Sequence, residues 1–314
     1  YLECMLAAFK ARVAPLNINY RYVAEELQYV FTDSAASVIV FHSTFAPLLA
    51  SVLPQLPKVR LLLQVADDSD QSLLPGAVWY EDALSASHEA PPAPADPDDL
   101  YILYTGGTTG ASKGVTRPDS GAPISSWARG VSTWGHYVGM PESGVALIST
   151  PLYHAFGAGV LGAALSRKHT IVLKERFDVD DFLDSIEHYR VTSAPLVPTL
   201  IVRLAKLDDN HFTSRDLSSL QWIAHTAAPC PGWAKQRLID MLGPIITEFY
   251  GSSEGTGPVV CTSAEWMARP GTVGRPVSFL HVSVVDDDGK DVLPMEIGTL
   301  YFKRADGAPQ YHGD

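Results

Sequence analysis

Between Tyr104 and Val115 the chain reads YTGGTTGASKGV, with four glycines, three threonines and one serine arranged around a single lysine. Gly106, Gly107 and Gly110 can take positive φ and let a ligand approach the main chain. Thr105, Thr108 and Thr109 add hydroxyls, and Lys113 adds a point charge. Converging amides and hydroxyls with one ammonium suit a polyphosphate, which offers many acceptor oxygens and a dense negative charge. A P-loop would need Gly directly before the lysine and Ser or Thr directly after it. Here Ser112 precedes Lys113 and Gly114 follows, which excludes that loop type.

Three further stretches carry side chains with chemical potential. EFYGSSEGTG, residues 248–257, sets an aromatic ring (Tyr250), a glycine (Gly251), a hydroxyl (Ser253) and a hard carboxylate (Glu254) in a row. The ring suits stacking on a base, and the carboxylate suits Mg²⁺ bound to phosphates. HTAAPCP, residues 225–231, follows an apolar run and opens a helical pattern. PLYHAFGAG, residues 151–159, places His154 ahead of a Gly/Ala-rich helix. Small residues there either leave a channel for an apolar chain or let two helices pack closely.

The elements that must position these stretches alternate. Short apolar runs at 37–41, 60–65, 100–104, 145–149, 169–173, 193–197, 220–225 and 245–249 read as buried strands. Between them lie helical patterns at 44–52, at 178–190 with Asp178 as N-cap, and at 198–207 and 231–242, each with Pro as its first helical residue. Strand–helix alternation with buried strands predicts an α/β fold, mostly parallel sheet covered by helices. Leu2, Met5, Leu6 and Phe9 share one helical face. Residues 88–99, HEAPPAPADPDD, are too proline-rich for a regular element. From about residue 271 the pattern alternates with period 2 around Asp288-Gly289, which predicts antiparallel β structure. The expected division is an α/β core over 1–270 and the start of a β-rich, barrel-like subdomain over 271–314.

The 314 residues carry a formal charge of −12, so nucleic acid and anionic membrane surfaces are disfavoured as partners and a bound anion must be held by local donors. No apolar run is long enough for a membrane span. Cys4, Cys230 and Cys261 are odd in number and widely spaced, which points to a reducing, cytoplasmic setting without a disulfide framework. The first residue is not Met, a helical pattern begins at once, and DGAPQYHGD stops within a motif, so truncation at both ends is expected.

Taken in order, these segments resemble the adenylate-forming superfamily of acyl-CoA synthetases, adenylation domains and luciferases. The loop at 104–115 is similar to its phosphate-binding signature, and residues 11–41, 151–159, 225–231, 248–257, 271–277 and 296–304 are similar to successive later or earlier family segments. The wording resembles actinobacterial fatty-acid or steroid acyl-CoA synthetases most. The resemblance implies that Thr105, Gly106, Gly107, Thr108, Thr109, Gly110 and Lys113 hold ATP phosphates. It implies that Ala227, Ala228, Pro229, Tyr250 and Gly251 hold the adenylate, that Ser253 takes the α-phosphate, and that Glu254 binds Mg²⁺. His154 and Thr226 would border the acyl pocket. Lys113, Ser253 and Glu254 would be the catalytic set. A carboxylic acid would be activated by ATP and passed to CoA, and a homodimer is one arrangement the family admits. The family's ribose-binding Asp and C-terminal lid are expected beyond residue 314, so this chain is expected to form adenylate slowly. Other readings are a non-catalytic nucleotide-binding module, or an adenylation domain or aryl-acid ligase serving a carrier protein. Gly106, Ser112 and Thr226 stand where Ser, Pro and Gly are usual; Ser112 is expected to loosen the loop, and Thr226 either to crowd the acyl entrance or to hydrogen-bond a polar substrate.

Overall fold

The structure, a computed structural model, describes residues 1–91, 100–105, 112–118, 124–253, 257–304 and 310–311. The chain divides into two compact units, residues 1–121 with 311–314 and residues 122–310.

The first unit opens with α1 (Leu2–Lys10) and α2 (Ala24–Asp33). Of α1's apolar face only Met5 is fully buried. At the start of α2, the Glu26 carboxylate accepts from the Val23 amide at 2.9 Å, satisfying a donor that the helix leaves over. β1 (Val38–His42), α3 (Ala46–Val52), β2 (Leu61–Val65), β3 (Val78–Trp79) and α4 (Tyr80–Ala86) follow. β1, β2 and β3 form a parallel sheet in that order. Leu27 and Phe31 of α2, Ile39 and Phe41 of β1, Leu49 of α3 and Leu62 of β2 make its core. β4 (Leu100–Thr105) and β5 (Lys113–Pro118) form a separate antiparallel pair.

The second unit contains α5 (Ile124–Tyr137), β6 (Val145–Ile148), α6 (Ala155–Ser166), β7 (Thr170–Leu173), α7 (Val179–Tyr189), β8 (Ser193–Leu196), α8 (Pro198–Ala205), α9 (Asp209–Thr213), β9 (Trp222–His225), α10 (Gly232–Leu242), β10 (Ile246–Tyr250), β11 (Val259–Thr262), α11 (Ser263–Ala268), β12 (Arg275–Pro276), β13 (Leu280–Val285) and β14 (Thr299–Arg304). Seven strands form one sheet in the order β12-β11-β10-β9-β8-β6-β7. β10, β9, β8, β6 and β7 run parallel, and β11 and β12 join antiparallel at one edge.

Both faces of this sheet are covered, and the pleat shows it. Trp222 and Ala224 of β9 pack with Val160 and Ala163 of α6, whereas Ile223 packs with Phe182 of α7, Ile201 of α8 and Leu238 of α10. Strand residues of opposite parity therefore feed two different cores. At the start of α7, Asp178 Oδ1 accepts from the amides of Asp180 and Asp181 at 3.0 and 3.1 Å, the cap its sequence predicts. Pro198 opens α8 as expected. Pro231, expected as the first helical residue of α10, instead sits one place earlier as its N-cap.

β13 and β14 are antiparallel, with Val285 opposite Thr299. The Asp288-Gly289 turn is present, its Gly289 amide bonding Asp286 O at 3.0 Å. The return strand does not begin there as the alternation suggests. Val292 bonds back to Val284 at 3.0 Å, but regular pairing resumes only at Thr299.

Candidate functional site

In the first unit, Thr105 ends β4 and stands opposite Lys113, the first residue of β5. The glycine–threonine loop thus closes a β-hairpin and does not lead into a helix, unlike a P-loop. Gly106, Gly107, Thr108, Thr109 and Gly110 lie outside the described residues. The Lys113 side chain is exposed. Ser112, half-buried just before it, is held twice. Its hydroxyl shares a hydrogen bond with the Tyr22 hydroxyl at 3.3 Å, and its carbonyl accepts from the Tyr29 hydroxyl at 3.0 Å. Tyr104 donates its hydroxyl to Asp33, and burial together with that carboxylate pushes the Tyr104 phenol well above its ordinary range. Both partners of Ser112, where loosening is expected, are tyrosines from α2 and its approach.

In the second unit the parallel strands bring the other candidates to one edge of the sheet. His154 follows β6, Thr226 follows β9, and Tyr250 ends β10. Carboxyl ends of parallel strands are where open α/β sheets bind ligands, because the loops there diverge and leave a crevice. Phe156, two residues after His154, packs edge-on against Phe249 with ring centres 5.4 Å apart, and Trp134 meets Phe249 at 5.3 Å. The start of α6 and the end of β10 are therefore in direct contact.

His154 is exposed at the N-cap of α6, makes no side-chain cap hydrogen bond, and lies against the Tyr153 ring at 4.2 Å. The small residues of α6 and its neighbour α5 divide their work. A Cβ at Gly157 would meet Pro151 O at 2.6 Å, and one at Gly135 would meet the Ala163 Cβ at 3.2 Å, so these positions serve close packing. At Gly159 the same construction meets nothing within 4 Å.

Thr226 is buried, while Ala227, Ala228 and Pro229 are exposed. Ala227 has φ +79°, a left-handed conformation that costs a β-carbon-bearing residue energy and persists only where its surroundings enforce it. Tyr250 is 44% exposed, with its ring stacked near Phe302 of β14 at 6.1 Å. Gly251 is exposed and Ser253 half-buried; Glu254 lies outside the described residues.

Behind this edge lies a group that motif reading missed. Glu248 of β10 stands beside His225 of β9 in register, so both side chains leave the same face of the sheet. Lys235 of α10 reaches Glu248 Oε2 at 2.7 Å, is itself 0% exposed, and has its ammonium 5.1 Å from the Trp266 ring. His225 Nε2 is 3.5 Å from the same oxygen, and neither ring nitrogen makes a hydrogen bond among the described residues. Burial, then the Lys235 ammonium, push the His225 pKa down to about 3, so the imidazole is neutral. Burial pushes the nearby Cys230 thiol up to about 11. The sequence did hold a signal. Lys235 falls at helical spacing with Leu238 and Ile239, on the apolar face of α10.

The AMP-binding enzyme family matches residues 1–312, and the chain belongs to that family. It is 37% identical over 295 residues to the medium-chain acyl-CoA ligase Mig of Mycobacterium avium, covering 87% of this chain and 51% of that protein. It is 32% identical over 311 residues to a medium/long-chain-fatty-acid and 3-oxocholest-4-en-26-oate CoA ligase of Mycobacterium tuberculosis, covering 92% and 55%. The chain thus spans about half the length of these curated relatives. Among solved structures, the anthranilate CoA ligase AuaEII in complex with anthranoyl-AMP matches with TM-score 0.82 at 23% identity, over 96% of this chain and 57% of that one. ATP-bound MatB from Rhodopseudomonas palustris matches with TM-score 0.80 at 24% identity, over 98% and 58%. These two similarities establish the α/β fold.

Proposed function

We propose that the chain is the nucleotide- and acid-binding part of an acyl-CoA ligase. The observation that carries this reading is the gathering of the 154, 226–229 and 250–253 segments at the carboxyl edge of one parallel sheet, in a chain of the AMP-binding enzyme family. A carboxylate oxygen would attack the α-phosphorus of ATP, forming an acyl–phosphate bond and expelling pyrophosphate. The thiol of CoA would then displace AMP from the acyl carbon.

The first step brings an anion to a polyanion, so charge must be offset where it develops. Lys113 and the main chain and hydroxyls of 105–110 take the β- and γ-phosphates. Ser253 takes an α-phosphate oxygen. Mg²⁺, which keeps few protein ligands and binds mainly through phosphates, would neutralise charge on the triphosphate, with Glu254 as its carboxylate. Tyr250 stacks on adenine, and the main chain of Ala227–Pro229 meets the base and the acyl carbonyl. His154 and Thr226 border the acid, and the open space at Gly159 admits an apolar chain. The substrate class is a medium-chain fatty acid or a steroid side-chain acid, as the named relatives use. Residues 1–270 would form the adenylate-forming core and 271–314 the start of a further β-rich subdomain. A cytoplasmic location and a homodimer belong to the same reading. No helix among the described residues is long and apolar enough to cross a membrane.

Calorimetric titration of the 314-residue chain with ATP, AMP and an acyl-adenosine sulfamate, each with and without Mg²⁺, tests it. Binding of all three is expected, with Lys113→Ala weakening ATP about tenfold while sparing AMP, since one charged contact to the terminal phosphates is lost. Failure to bind the sulfamate overturns the assignment.

A further inference from the structure

The turn 226–231 is fixed at both ends. His225 is paired to Leu196 on one side and Glu248 on the other. At the far end, Pro231 O accepts from the amides of Ala234 and Lys235 at 3.0 and 3.2 Å, which locks the turn into the first turn of α10. Between these anchors Ala227 is held at φ +79°, and Ala227, Ala228 and Pro229 are exposed. Ala227 is exposed, and we attribute its left-handed backbone to the anchored ends of the turn. Lys235 lies in that same first turn, and its ammonium is 2.7 Å from Glu248 on the neighbouring strand.

We propose that the ion pair between buried Lys235 and half-buried Glu248 is a positioning device that pins the start of α10 to β10 and thereby holds the 226–231 main chain in its strained, ligand-presenting turn. Neutral His225 fills the flank of the pair, which leaves Lys235 as the cation facing Glu248 within hydrogen-bond distance. The Trp266 ring lies by the same ammonium and helps to fix its direction. The pair acts through the turn and touches no reacting atom. That the turn meets nucleotide rests on the function proposed above; the pinning does not.

The test replaces both charges together, Lys235→Met/Glu248→Leu, because a pair exchanged for apolar residues of similar size usually leaves the fold stable where a single loss does not. Hydrogen exchange on the 314-residue chain without nucleotide is expected to quicken about tenfold at the amides of Ala234 and Lys235, which bond Pro231 O, while the β6 amides of Val145–Ile148 stay as in the parent. The affinity for a fluorescent N-methylanthraniloyl ATP is expected to fall about tenfold. Adding Ala227→Gly should shrink that loss about threefold, since glycine takes positive φ without the β-carbon penalty. A merely structural pair would quicken exchange uniformly and leave affinity unchanged well below the melting temperature. Unchanged exchange at Ala234 and Lys235, or an equal rise in β6, overturns the proposal. Faster local exchange with unchanged nucleotide affinity keeps the device and removes the turn from the nucleotide site. A parent chain that binds no nucleotide overturns the functional reading alone, while exchange still decides the pinning.

Discussion

The base of the glycine–threonine segment in the first unit and the strand-end turn of the second are held by different means. The loop is tethered at its base by hydroxyls, through the bonds of Tyr22 and Tyr29 to Ser112. Tyr29 is 39% exposed, so water competes for its hydroxyl. The turn is braced from behind by fully buried Lys235, held by half-buried Glu248. A tether that water can replace adds little net stability, whereas a largely shielded charge pair is costly to break.

The largest expected effect is the loss of one charge of the buried pair. Lys235→Ala should lower unfolding free energy in urea by up to about 3 kcal/mol, because the half-buried Glu248 loses its cation. The double replacement Lys235→Met/Glu248→Leu should fall within about 1 kcal/mol of the parent. Equal losses in both would show that packing, and not charge, holds this region.

Acidification should sharpen the same contrast. The His225 pKa is lowered in the folded state, from 6.5 to about 3. Between those values the unfolded chain binds a proton that the folded chain refuses, so stability falls as pH drops from 6.5 toward 3. The slope from this one group approaches about 1.4 kcal/mol per pH unit, or about 2 kcal/mol between pH 6.5 and 5. Urea titrations of His225→Asn should lack that component, and an identical pH dependence in the variant would refute it.

A smaller and opposite effect is expected at the turn itself. Ala227→Gly should stabilise the chain by about 1 kcal/mol, as relief of left-handed strain exceeds the added freedom of the unfolded state. A destabilisation in thermal melts would mean that Ala227 is not strained. The smallest effect belongs to the loop. Tyr29→Phe should cost about 0.5 kcal/mol or less and weaken ATP binding only a few-fold, because a water replaces the lost hydroxyl. A Tyr29 effect as large as that of Lys235 would erase the distinction between the two regions.

Much of the second unit is readable from residue order. Apolar runs at 145–149, 169–173 and 193–197 became strands, because four or five consecutive apolar residues between polar turns have few other ways to be buried. Asp178 caps α7 because its carboxylate needs only amides two and three residues on. The late return of β14 was not readable. Alternation shows that residues suit a strand but not which partner they find, and Asp291–Gly298 lies between the turn and the regular pairing. The hairpin at 105–113 was likewise hidden, since a glycine-rich loop is compatible with a strand or a helix on its far side.

The sequence alone set the chemical inventory: one lysine among glycines and hydroxyls, an aromatic–hydroxyl–carboxylate row, and a buried-strand rhythm that only an α/β sheet accommodates. Those signals are local, because φ preference, side-chain charge and hydrophobic period act within a few residues. Tertiary structure decided which ends of the strands share an edge, which small residues pack against helices, and that Lys235 would be buried against a glutamate 13 residues on. The reason is register: only when β10 lies beside β9 does Glu248 stand next to His225, and only then does the ammonium on α10 have a partner worth burying.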